Sequence, residues 1–259
     1  MGCSVLAHRI IPTVLVRGQQ LVKGKQFHSW RSVGVAEQAA RIYAARSCDE
    51  LILLDIAATP EGRGPDLKMI EKWTEGHFTP ITVGGGIRSV DDVRDVLRIG
   101  ADKVAICSEA LNNSELVQDC ASKFGSQAVV VSIDVSSFGY VCGNGGNDSR
   151  VIEPIYWAQK MEQLGAGEIL LTSIDREGMM NGYDLGLIHE VSKAVNIPVI
   201  AHGGCGTYEH MREAIQYGAD AVAAGSMFQF TDQTPQGAAK YLAAAGIEVR
   251  LLEGAACAY

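Results

Sequence analysis

The sequence predicts a single (β/α)8 barrel, and three observations lead to this fold class. Short apolar segments, typical of buried parallel strands, alternate with amphipathic segments along the chain. The chain has 259 residues, 47% of them apolar, and a barrel of this kind typically needs about 250 residues. No linker or low-complexity segment interrupts the pattern, so we expect one domain over residues 1–259.

Eight apolar segments are the predicted strands. Several are continuously apolar, as expected for strands that are covered on both faces. In chain order the segments are Ile10–Val16, Leu51–Asp55, Ile81–Gly84, Lys103–Ile106, Ala128–Asp134, Glu168–Thr172, Pro198–Ala201 and Ala221–Ala224.

Amphipathic segments between the strands are the predicted helices. Ser89 stands before an apolar-periodic segment with acidic residues in its first turn, which predicts a capped helix start. The clearest of these segments are Val35–Ala45, Val90–Arg98, Glu153–Leu164 and Tyr208–Tyr217.

Several motifs recur at a spacing of 118 residues. The motif GAD begins at Gly100 and again at Gly218. A GG pair and a single aspartate recur at the same spacing, and ELILLD from Glu50 lines up with the similar EILLTS from Glu168. One offset that aligns four separate places indicates a duplicated unit. We therefore expect two half-barrels, at about 6–124 and 125–252.

The repeat draws attention to the end of the first strand. With one residue of slack, Leu15 is equivalent to Asp134 at the end of the fifth strand. Catalytic groups of such barrels lie at the C-terminal ends of the strands. Asp134 is therefore the best candidate for a catalytic residue, although a hydrogen-bonded core carboxylate remains the alternative. Leucine cannot exchange a proton.

Charge and cysteine content exclude several classes of function. The net charge is −8 and the pI is about 5.3, which argues against binding to nucleic acid or to an anionic membrane. The seven cysteines show no C-x-x-C spacing, so we expect reduced thiols, no metal and no cofactor. No apolar run reaches a membrane span and no secretory leader is visible, so a cytoplasmic protein is expected.

Glycine-rich turns in both halves are candidate phosphate sites, because glycine lets backbone N–H groups approach an anion. A tight turn is the alternative for each glycine-rich segment, but two related segments occupy matching places in the two halves, which favours phosphate binding. Other polar residues are expected at the mouth formed by the strand ends, and an exposed lysine there is usually only a solvated charge. The first candidate site is Gly84–Gly86 with Ser108, and the second is Gly178, Gly204, Gly225 and Ser226. The expected mouth residues are Lys23, Asp55, Thr172, Ser173 and Glu177.

Four charged residues begin the first, second, fourth and sixth strands. They are Arg9, Glu50, Lys103 and Glu168. Buried charges are costly unless they are paired, so we expect a ring of ion pairs at the N-terminal end of the barrel. A purely stabilising ring is the alternative to a functional one.

A series of motifs runs along the chain from about residue 6 to 252. The motifs are RII, LVKG, DELILLDI, TVGGGI, GADKV, FGSQAVVVSID, GAGEILLTSIDREG, GYD and GADAV. Their order and spacing resemble those of the cyclase subunit of imidazole glycerol phosphate synthase, the HisF family. The resemblance implies a glutaminase partner whose ammonia enters the barrel past the four-charge ring, which acts as a gate. It implies two acid–base aspartates at the mouth and contact with the partner near Asp102 and Gln127.

Several residues depart from the family pattern. Leu15 replaces the first aspartate, and Cys107, Glu177 and His202 also differ from the expected residues. These departures resemble a paralogue that supplies ammonia to a third, ATP-dependent enzyme amidinating sugars of bacterial surface polysaccharides. An active cyclase of histidine biosynthesis and a non-catalytic scaffold that activates a glutaminase are the alternatives. A small phosphorylated ligand is a further expected partner.

Overall fold

The computed structural model describes residues 7–45, 48–75 and 79–251, which form a closed barrel of eight parallel strands. The eight strands follow one another around the barrel in chain order, and pairing of the fifth strand with the sixth completes the ring. Each predicted strand is confirmed to within one residue at either end. The barrel strands are β1 (Arg9–Arg17), β4 (Leu51–Asp55), β5 (Ile81–Gly84), β6 (Lys103–Ile106), β7 (Val129–Val135), β10 (Glu168–Ser173), β11 (Val199–His202) and β12 (Ala221–Ala224).

Helices cover the outside of the barrel. Ser89 and Asp92 form a complete capping box at the start of the third helix, as the sequence predicts. The helices are α1 (Ala36–Ala45), α2 (Leu67–Thr74), α3 (Val90–Arg98), α4 (Ser108–Asn112), α5 (Glu115–Phe124), α6 (Pro154–Gln163), α7 (Leu185–Ala194), α8 (Tyr208–Gln216), α9 (Ser226–Phe230) and α10 (Pro235–Ala244).

Four further strands extend the sheet beyond the barrel, and the sequence did not predict them. A hairpin of β2 (Gln20–Lys25) and β3 (His28–Val35) follows β1, and β8 (Val141–Gly143) and β9 (Asp148–Ser149) follow β7. The two residues at the tip of the first hairpin, Gln26 and Phe27, adopt positive φ although neither is glycine. The usual turn signal is therefore missing.

Alternation along the strands separates an interior core from an outer core. On β1, Ile10 and Val14 pack outward against helices, whereas Ile11 belongs to the interior cluster. Thr13 and Leu15 share the interior side with Ile11, because side chains on a strand alternate between its faces. The interior cluster consists of Ile11, Ile52, Ala105, Val130, Leu170, Ile200, Ala221 and Ala223, with Leu54 packed against it.

Elements of the structure that lie 118 residues apart in the chain correspond to each other. Helix α3 corresponds to α8, and α4 corresponds to α9, residue for residue. Asp66 and Asp184 cap the preceding helices of the two halves in the same way, each accepting from a backbone N–H three residues later. We interpret this correspondence as two half-barrels, whose predicted outer limits at 6 and 252 lie outside the described residues.

Candidate functional site at the two mouths of the barrel

A closed ring of four charged side chains lies at the N-terminal mouth. Arg9 contacts Glu50 at 2.7 Å and Glu168 at 2.9 Å. Lys103 contacts the same two carboxylates, at 2.9 and 3.0 Å. Each charge therefore has two opposite neighbours, which is the arrangement that makes burial of four charges tolerable.

Glu50 is the most buried member of this charged ring. Its side chain is 3% exposed, and its second oxygen accepts a hydrogen bond of 2.6 Å from the hydroxyl of Thr82 inside the barrel. Thr82 is buried on β5. The charged ring is therefore hydrogen-bonded to a side chain of the barrel interior.

Asp102 and Gln127 are exposed residues beside the N-terminal mouth. The carboxylate of Asp102 also accepts the backbone N–H of Ile81 at 2.8 Å, where β5 begins. The carboxylate of Asp220 accepts the backbone N–H of Val199 in the same way at 2.9 Å. This type of contact therefore stabilises a strand start in each half of the chain. Asp102 therefore has a structural role that the sequence did not indicate.

The C-terminal mouth opens into a cavity of about 390 Å³. Asp134 lies in its wall and accepts hydrogen bonds from Ser132 at 3.2 Å and from the thiol of Cys107 at 3.5 Å. Burial raises the pKa of Asp134 to about 6, against the opposing effect of these donors. A carboxylate with such a pKa is suited to general acid–base chemistry near neutral pH.

Leu15 faces the same cavity from β1 and is 3% exposed. It packs beside Leu54, its register partner on β4, which also lines the cavity. The cavity wall formed by β1 and β4 is therefore apolar at the position where the resemblance implies an aspartate.

Thr172 and His202 continue the polar wall that begins at Asp134. The hydroxyl oxygen of Thr172 lies 3.1 Å from Nδ1 of His202, and both side chains are buried. Nε2 of His202 lies 3.9 Å from the carboxylate of Glu177. Burial lowers the pKa of His202; Glu177 raises it and Lys23 lowers it. A neutral imidazole is therefore favoured at rest.

Lys23 is buried, so the alternative of a solvated surface lysine is wrong, whereas its predicted phosphate contact stays a prediction. Its ammonium group lies in the second glycine-rich site, close to where a Cβ on Gly225 would stand. No hydrogen-bond partner satisfies Nζ among the described residues. Burial lowers the pKa of Lys23 to about 8, and the negative charge of Glu177 opposes this shift. An unpaired ammonium beside glycine backbone is a suitable environment for an anion.

The second site is shaped by close backbone contacts. A side chain on Gly178 would collide with the carbonyl of Gly24 on the first hairpin, and one on Gly204 would collide with that of Gly182. The backbone N–H of Gln26 donates to the carbonyl of Glu177 at 2.8 Å. The hairpin therefore closes over this site and carries Lys23 into it, next to Ser226 at the start of α9.

Residues of the first glycine-rich site already contact other parts of the protein. Ser108 accepts the backbone N–H of Asn144 at 2.8 Å, and a side chain on Gly86 would collide with the carbonyl of Arg63. Asp55 forms an ion pair with Arg63 at 2.8 Å. Asp55 thus lines the cavity as a paired carboxylate rather than as a free one.

Ser173 lies apart from the other predicted mouth residues. It lines a separate surface depression together with Asp175 and Arg176, because its side chain alternates with that of Thr172. The sequence also missed several cavity residues that the unpredicted hairpins supply. These are Phe27, His28, Ser29, Trp30, Gly145 and Asn147.

Metal and membrane features are absent from the described parts of the chain. No cluster of three or more His, Cys, Asp or Glu side chains among them could hold a metal ion. Their five cysteines are free thiols. None of their helices is long and apolar enough to cross a membrane.

These features define a (β/α)8 barrel with a ring of four charges at its N-terminal mouth and a buried carboxyl group beside glycine-rich turns at its C-terminal mouth. A family model described as histidine biosynthesis protein matches residues 9–234. The imidazole glycerol phosphate synthase subunit HisF of Clostridium botulinum strain Kyoto is 45% identical over 253 residues, which cover 95% of this chain and 100% of that protein. The subunit of strain Okra is 44% identical over the same lengths. The chain therefore belongs to the histidine biosynthesis family, as a HisF-like subunit.

Proposed function

We propose that this chain is the ammonia-receiving synthase subunit of a glutamine amidotransferase. Ammonia from a glutaminase partner enters at the ring of Arg9, Glu50, Lys103 and Glu168 and leaves at the cavity beside Asp134. The closed four-charge ring above an apolar interior carries this proposal. Neutral ammonia can cross such an interior, whereas an ammonium ion would have to lose its hydration.

The interior offers small polar contacts for such a molecule. Thr13 is fully buried on the inner side of β1, and its hydroxyl has no hydrogen-bond partner within the described residues. A buried polar group without a partner is costly, and a small hydrogen-bonding guest would relieve that cost. This supports passage of ammonia, or of water, along the barrel axis.

The glutaminase is proposed to dock on the N-terminal mouth, where Asp102 and Gln127 are exposed. Gln127→Trp should weaken the complex by about tenfold or more, because a bulky side chain there prevents close approach. Calorimetric titration with the glutaminase measures this, with Lys240→Trp on exposed α10 as the control. Affinity equal to that of the unaltered chain would place the interface elsewhere. Asp102 is a poorer test, since its carboxylate also holds the start of β5.

The cyclase reaction is proposed to be lost in this chain, and the ammonia to be passed to a third enzyme that amidinates a bacterial surface-polysaccharide sugar. The support is Leu15, which lines the cavity where a second acid–base carboxylate would be needed. Losing one positioned acid–base group costs roughly 10²–10⁴-fold in rate. The relatives' names and the orphaned ammonium of Lys23, which suits a phosphate, favour the second candidate, an active cyclase.

Leu15→Asp separates these two candidates. With ammonium salt and the substrate of imidazole glycerol phosphate synthase, the unaltered chain should form no cyclised product. The variant should stay at least about 10²-fold slower than a two-aspartate relative, because Cys107, Glu177 and His202 differ as well. Steady-state assays of both proteins, with Leu15→Asn as control, measure this. Clear cyclisation by the unaltered chain would favour the active cyclase.

A further inference from the structure

A row of three side chains crosses the C-terminal mouth. Asp134, Thr172 and His202 are direct register partners on the neighbouring strands β7, β10 and β11. All three line the main cavity. Register partners on parallel strands point to the same side of the sheet, so a carboxylate, a hydroxyl and an imidazole face one space side by side.

The hydroxyl of Thr172 links the two titratable groups. Hydrogen bonding by this hydroxyl lowers the pKa of Asp134, and its oxygen lies 3.1 Å from Nδ1 of His202. A hydroxyl group donates only one proton. When Thr172 donates to ionised Asp134, Nδ1 of His202 must be the donor to Thr172. When Asp134 is protonated, the hydroxyl can turn and donate to Nδ1. The protonation of Asp134 therefore selects whether Nδ1 of His202 acts as donor or as acceptor.

Among the charged groups around His202, Glu177 is the one that favours an imidazolium, whereas burial and Lys23 lower the pKa of the ring. The charged groups that face it are Glu177 after β10, Lys23 on β2 and, through Thr172, Asp134 on β7. Glu177 lies at ion-pair distance from Nε2, and its own side chain is 7% exposed. Its negative charge opposes only part of the effect of burial, which favours the neutral ring.

We propose that Asp134, Thr172 and His202 form a proton relay, in which His202 is the final proton acceptor. The relay serves the nitrogen that reaches the mouth, and only this assignment rests on the proposed function. An ammonium ion that enters the cavity from solution gives one proton to protonated Asp134, whose own proton passes to the oxygen of Thr172. The hydroxyl proton of Thr172 moves to Nδ1 of His202. The products are ammonia, which has a free lone pair, and an imidazolium beside Glu177.

Nuclear magnetic resonance of the imidazole groups tests the coupling without any partner protein. In the unaltered chain, the His202 signals should respond to the ionisation of Asp134 as well as to that of the ring. Thr172→Val keeps the shape of the side chain but removes the hydroxyl, and it should abolish the first response. Thr172→Ser should retain it, and Asp134→Asn should lose it. Signals of His189, exposed on α7, provide the control within each spectrum.

The functional role has its own test in the assembled amidotransferase, with ammonium chloride as the nitrogen source. His202→Gln keeps a polar partner for Thr172 but cannot exchange a proton. It should lower amination about tenfold or more at neutral pH, and much less at alkaline pH, where free ammonia is abundant. A merely structural role would lower the rate equally at all pH values.

The outcomes decide between the relay and its absence. His202 signals that are identical in the unaltered chain, Thr172→Val and Asp134→Asn would overturn the relay. A pH-independent effect of His202→Gln would overturn its acid–base role. If the unaltered assembly transfers no nitrogen at all, the proposed function fails, and the resonance experiment still decides whether the three residues are coupled.

Discussion

Lys103→Met is expected to destabilise the protein by about 3–5 kcal/mol, the cost typical of removing one partner from a buried ion pair. Glu50 and Glu168 are 3% and 13% exposed, and each would keep Arg9 as its only cation in the ring. Chemical denaturation measures the loss. Lys240→Met, on the exposed side of α10, is the matched control and should change stability by less than about 0.5 kcal/mol.

The same variant distinguishes a gate from a stabilising ring. In complex with the glutaminase, Lys103→Met should release more glutamate than aminated product, since ammonia escapes at an opened mouth. Both products are measured at a temperature where the variant is still folded. A ratio of glutamate to product equal to that of the unaltered complex would leave the four charges with a structural role alone.

Lys23→Met is expected to weaken phosphate binding about 10- to 100-fold, because one charged hydrogen bond contributes about 1.5–3 kcal/mol. Its ammonium group is buried, unpaired and directed at the Gly225 turn. Titration calorimetry with inorganic phosphate measures the change. Lys25→Met, on the same strand but exposed, is the control. Equal phosphate affinity in Lys23→Met and Lys25→Met would contradict a phosphate contact at Lys23.

Lys23→Met should increase the stability of the ligand-free protein, although it weakens phosphate binding. Burial lowers the pKa of Lys23 from 10.5 to about 8, so the unfolded chain holds this proton more tightly than the folded chain. Stability of the ligand-free protein should therefore rise as pH increases from about 8 to 10.5. Lys23→Met removes the penalty and should raise stability at neutral pH by up to about 3 kcal/mol. Phosphate affinity of the unaltered chain should fall above about pH 8.

Much of the fold follows from local patterns in the sequence. Continuous apolar segments located all eight barrel strands, since strands covered on both faces have no polar side. The repeat spacing anticipated equivalent helices such as α3 and α8. The charged ring was also expected, because its members begin their strands and can only be buried as pairs.

The remaining features depend on contacts between distant parts of the chain. The hairpin of β2 and β3 turns at Gln26 and Phe27 without a glycine signal, so its docking and the burial of Lys23 were not predicted. The link from Asp134 to His202 requires the register of three strands. In the sequence His202 appeared only as an unusual residue before a Gly-Gly pair.

Isotope transfer in the assembled amidotransferase tests ammonia conduction most directly. Glutamine labelled with ¹⁵N in its amide is supplied together with unlabelled ammonium in excess, and the aminated sugar and any imidazole glycerol phosphate are analysed by mass spectrometry. Conduction through the barrel predicts that the sugar keeps the ¹⁵N label undiluted and that no imidazole glycerol phosphate forms. A label diluted to the level of the bulk ammonium, or nitrogen found in imidazole glycerol phosphate instead of the sugar, would contradict the account.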